Sequence, residues 1–134
     1  MKGQHQEGAI AVEFALILPV MVLMLFGIVE FSLLLFNKQI LTNASREGAR
    51  FGIAARNPRY NDGEIRTVVE NYCAENLITF GTPNLRLEPP PDRAGTDFGH
   101  NLTISVRIDY DFLFLSGIGF DPVVLTARTV MKME

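Results

Sequence analysis

The chain has 134 residues, a formal net charge of −3 and a pI near 5.4, with 48% hydrophobic and 20% charged residues. That balance supplies no basic field for nucleic acid, and no basic stripe interleaved with aromatics is present. Cys73 is the only cysteine, so an intramolecular disulfide is excluded, and His5 and His100 have no ligand-spaced partners. No metal and no cofactor are expected.

The first eight residues, "MKGQHQEG", are polar and carry one lysine. From Phe14 to Phe36 the only charged residue is Glu30. A run of that length suits a membrane helix, which needs about 20 apolar residues. A secretory signal peptide fits poorly, because its apolar region would be shorter and its start basic. Pro19 inside the run predicts a modest kink, tolerated in a membrane helix.

Two glutamates interrupt the apolar character. Glu30 follows Glu13 by about 25 Å of helix, close to one hydrocarbon thickness, which places Glu30 at the far boundary or in a polar contact with a partner helix. If the chain were cut after Gly8, Ala9 would be the new amino terminus and Glu13 the fifth residue. Those two positions share a helix face, so a free ammonium and a carboxylate could neutralise each other there or pair between subunits. Position near a membrane boundary is the plainer account of Glu13, and spacing alone leaves both open.

"NKQILTNASREGARFGIAARNP" continues the helix to Asn57, where Pro58 biases its predecessor away from helix. Ala44, Gly48 and Gly52 recur every four residues, a spacing that permits close helix approach to the chain's own domain or to a partner helix. Arg46, Glu47 and Arg50 are expected to form a solvated or salt-bridged face. "NPRYNDG" is a loop, and Asn61 with Glu64 three residues later marks a helix start. Ile65, Val68, Val69, Tyr72, Cys73 and Leu77 give that second helix one apolar face through about Phe80, with Cys73 as a buried small hydrophobe.

"NLRLEP" is a short strand candidate, and "PPPDRAGTDFGHN" reads as a loop. Leu102, Ile104, Val106, Ile108, Tyr110 and Phe112 alternate with mostly polar residues, the clearest strand signal in the chain. "SGIGFDP" turns, and "VVLTARTVMKM" alternates again, so the last two strands should pair antiparallel. The expected fold is α+β. A long N-terminal transmembrane helix continues into a small domain, where a second helix covers a roughly three-stranded antiparallel sheet.

Gly8 followed by "AIAVEF" and a long apolar helix resembles a type IV prepilin cleavage site. "GAIAVEFALILPVMVLMLFGIVEF" with "LTNASREGARFG" resembles, more narrowly, the TadE-like minor pilins (pseudopilins) of bacterial tight-adherence systems. The resemblance implies a pilin-like domain and a leader over 1–8. It implies an assembly helix over 9–36, its continuation over 37–57, and a periplasmic domain over 58–134. It also implies a prepilin peptidase cutting between Gly8 and Ala9, with Glu13 and Phe14 recognising a neighbouring subunit. Glu30, Gly48 and Gly52 would contact partner helices. The implied partners are other pilin and minor pilin subunits and an inner-membrane assembly platform.

The implied location is the bacterial inner membrane, N-terminus cytoplasmic, with incorporation into an extracellular pilus allowed. Two features depart from the pattern: Glu7 precedes Gly8 where leaders are often basic, and Lys38, Arg46, Arg50 and Arg56 beyond the helix favour the opposite orientation by charge count. The cleavage motif is the more specific signal and sets the orientation adopted. No phosphate loop, metal cluster or nucleophile elbow is present, so an enzyme is not expected. Two non-catalytic roles compete: a processed pilin-like subunit, or an uncleaved membrane-anchored periplasmic adaptor of a secretion complex.

Overall fold

The computed structural model describes residues 3–54, 59–80, 84–87, 92–93 and 99–133. Helix α1 spans Gly3–Ile53 without a break, with Pro19 inside it. The chain divides into two compact units, Met1–Ser32 and Leu33–Glu134.

The first unit is a stretch of α1 whose apolar side chains, from Ile10 to Val29, stand exposed. Apolar residues cover every face of it, the pattern of a helix solvated by lipid rather than one resting on a soluble core. Among the described residues, α1 is the one helix long and apolar enough to cross a membrane.

The second unit is the α+β domain. Helix α2, Asp62–Asn76, starts as expected: Glu64 N–H donates to the Asn61 side chain, and Asn61 N–H donates to the Glu64 carboxylate, both at 2.8 Å. This reciprocal cap satisfies two of the helix's orphan donors. The helix stops at Asn76, four residues short of Phe80, because Leu77 turns to an extended conformation. The sheet contains β1 (Asn84–Leu87), β2 (Asp92–Arg93), β3 (Asn101–Tyr110) and β4 (Val123–Lys132), all antiparallel.

Strand β3 is central. Strand β4 lines one side over its full length, while β1 and β2 follow each other along the other side. The sheet is therefore three strands across, as expected, but Asp92–Arg93 pairs with β3 inside the stretch read as loop. Leu87, opposite Val106, and Asp92, opposite Thr103, are separated in sequence by the four residues 88–91. Three of the four are prolines, which have no N–H to give a ladder. The turn before β4 contains a 3₁₀ helix, Leu115–Ile118.

The inner face of β3, from Leu102 to Tyr110, is fully buried. It packs with Leu41, Ala44 and Ala49 of α1 and with Ile65, Val69 and Cys73 of α2. Gly48 and Gly52 are buried among the same groups. A Cβ on Gly48 would overlap Val69 Cγ2, and one on Gly52 would lie 2.5 Å from Leu102 Cδ2 and 2.8 Å from Ile65 Cδ1. Their close approach is thus to the chain's own α2 and β3. Alanine at either position gains about 1 kcal/mol of helix propensity but overpacks the core at a cost of about 1–3 kcal/mol.

Gly52→Ala, with two obstructions, should lower thermal stability in detergent by about 1–2 kcal/mol net. Gly48→Ala should be relieved in part when combined with Val69→Ala. A gain of stability in Gly52→Ala would contradict the packing described.

Candidate functional site: the N-terminal helix and its seat

The residues expected to carry function fall into two groups. Gly8, Ala9, Glu13 and Phe14 share one stretch of α1 in the first unit, and all are exposed. Nothing lies within 4 Å of a Cβ placed on Gly8, and Phe14 is 59% exposed. Ala9 and Glu13 are one helical turn apart, about 6 Å along the axis. Glu30 is different: it is buried, at 1% exposure. Gly48 and Gly52 belong to the core of the second unit and stand apart from the first group.

The second unit holds its segment of α1 with polar groups that the sequence reading did not single out. Asn37 is fully buried, and its amide pairs with the backbone of Ile78 as a strand would. Its Nδ2 donates to Ile78 O at 2.6 Å, and Ile78 N donates to its Oδ1 at 3.0 Å. The clasp occupies the peptide groups just past the end of α2, which explains why that helix stops early. Next to it, Lys38 Nζ donates to Thr126 O of β4. Two turns later the buried Ser45 hydroxyl donates to Thr42 O at 2.8 Å and shares a hydrogen bond with Thr129 Oγ1 at 2.7 Å.

A polar residue at the boundary of an apolar run is the only trace Asn37 leaves in sequence, because its partner is 41 residues away. Asn37→Ala would leave two part-buried peptide groups of Ile78 unpaired, at about 1–3 kcal/mol each if unsolvated. We expect a loss of about 2–3 kcal/mol, with amide exchange accelerated at Ile78. Unchanged protection at Ile78 would show that the clasp does not hold this segment.

Cys73 lies in the core on α2, and burial, with a smaller contribution from the Glu70 carboxylate, pushes its thiol up from 9.0 to about 11. The neutral thiol is favoured by folding, so its contribution to stability is complete below pH 9 and lost as pH rises towards 11. Maleimide should label Cys73 at least about tenfold faster after unfolding than before. Cys73→Ala should remove the part of the alkaline stability loss that falls between pH 9 and 11. Equal labelling of folded and unfolded chains would refute the burial. Among the described residues no group of three or more His, Cys, Asp or Glu side chains is placed to hold a metal ion.

An exposed apolar helix long enough to cross a membrane, leading into a small α+β domain, suggests a membrane anchor. Residues 8–50 match the family model of the TadE-like proteins. The match opens on Gly8 and closes within the part of α1 that enters the core. Neither the curated proteins nor the solved structures gave a match.

Proposed function

We propose that this chain is a non-catalytic minor pilin, or pseudopilin, of a tight-adherence pilus or its secretion apparatus. A prepilin peptidase cuts it between Gly8 and Ala9 on the cytoplasmic side of the inner membrane. The freed helix joins other pilin and minor pilin subunits at the inner-membrane assembly platform, and the α+β domain stands in the periplasm. The family match beginning at Gly8 supports this reading, as does the accessibility of Gly8 on an uncovered helix.

The observation that carries it is Glu13, an exposed carboxylate one turn after Ala9 in a helix otherwise dressed in apolar side chains. A carboxylate at the edge of an apolar run gains from a cationic partner, and a new ammonium on Ala9 of the same or an adjacent subunit supplies one by pairing.

Glu13→Ala should insert normally into the membrane and still be cut. Its co-purification with pilin subunits should fall at least about tenfold, since removing one partner of a buried ion pair costs about 3–5 kcal/mol. Undiminished co-purification would favour an uncleaved, membrane-anchored adaptor, for which this carboxylate has no task.

A further inference from the structure

The contacts of α1 within the second unit run in one direction along the sheet. Lys38 reaches Thr126, Ser45 reaches Thr129, Gly48 abuts Ile104 and Gly52 abuts Leu102. Ile104 pairs with Thr129 and Leu102 with Met131, so rising numbers on α1 follow rising numbers on β4. The opposite end of the sheet, at the Tyr110–Val123 rung, therefore lies where α1 enters the unit at Leu33. From Thr126 back to Val123 is about 10 Å of strand. From Lys38 back to Leu33 is about 7.5 Å of helix. The Asn37 clasp holds Ile78 at this same end.

Large apolar side chains are left uncovered there: Ile78, Phe80, Leu113, Phe120, Val123 and Val124, with Phe120 the most open at 58%. Ile78 and Phe80 come from the connection after α2, Leu113 and Phe120 from the one between β3 and β4, and Val123 and Val124 from the start of β4. The connection between β3 and β4 reads "DFLFLSGIGFD", nine uncharged residues between Asp111 and Asp121. Chain connectivity joins this end to the apolar run through the Ser32–Leu33 peptide bond, so a bilayer around that run begins within a few residues of it.

We infer that this apolar end of the domain is a second membrane contact, in which the 112–120 connection and the segment around Ile78–Phe80 enter the interfacial layer of the lipid. Phenylalanine and leucine are accommodated there, while Asp111 and Asp121 remain in the aqueous headgroup zone and limit the depth. With acidic residues at its margins the contact depends on apolar insertion, and anionic headgroups contribute nothing to it. The inference rests on the reading of α1 as a membrane anchor.

The chain has no tryptophan, so single-tryptophan variants report without background. Phe120→Trp, Phe80→Trp, Val130→Trp and Leu25→Trp would each be reconstituted as the full chain in vesicles of phosphatidylethanolamine and phosphatidylglycerol, with or without bromine on the acyl chains. Val130, 50% exposed, pairs with Thr103 towards the far end of the sheet, and Leu25 lies in the apolar run. The expected result is emission from Phe120→Trp and Phe80→Trp that is blue-shifted and quenched about twofold by brominated lipid, as for a side chain in the interfacial belt. It should be insensitive to salt and phosphatidylglycerol content, with Val130→Trp unquenched. If Leu25→Trp is quenched and the two domain reporters are not, the second contact is overturned and the anchor stands. A blue shift without bromolipid quenching means a protein neighbour covers this end, which also overturns it. If Leu25→Trp escapes quenching, the anchor and the second contact fall together.

Discussion

One helix in this protein has to satisfy two different solvents, and the rest of the structure follows from that. Backbone groups inside a bilayer have no water to bond, so the apolar stretch must satisfy them internally. Further along, the same helix must show a small, close-packing face to a sheet. The sequence changes accordingly. Up to Val29 large apolar side chains cover all sides, whereas Ala44, Gly48, Ala49 and Gly52 leave room for Val69, Ile65, Leu102 and Ile104. Exposed Arg46, Glu47 and Arg50 then mark the water side.

A small domain with a thin core needs its helices fixed in register by more than apolar area. Asn37, Lys38 and Ser45 do this with directional bonds to Ile78, Thr126 and Thr129, one from the segment after α2 and two from β4. Sliding α1 by one residue would misalign all three together and drive Gly48 and Gly52 off the side chains they accommodate. Strand β4, which receives two of these bonds, has its other edge fully paired with β3.

Much of this was legible in the sequence because the deciding interactions are local. The apolar run, the Asn61–Glu64 cap and the period-two alternation from Leu102 to Tyr110 each need only neighbouring residues to be recognised. The early stop of α2 was not legible, because the Asn37 clasp that competes with further helix spans 41 residues. Two-residue strand β2 follows a proline cluster, and only its register against Thr103 and Leu102 makes it a strand. At the candidate site, the Gly8–Phe14 stretch was legible through its resemblance to a prepilin cleavage site. The burial of Glu30 and the seating of Gly48 and Gly52 in the chain's own core depend on tertiary packing, which a four-residue spacing leaves undecided between self and partner.

The functional account turns on a single covalent event. The proposal pairs the Glu13 carboxylate with the free ammonium that cleavage after Gly8 would place on Ala9. The most direct measurement is the intact mass of the chain extracted from bacterial membranes, with and without an active prepilin peptidase. The account predicts loss of Met1–Gly8 only where the peptidase is active. A full-length chain in both preparations would contradict it.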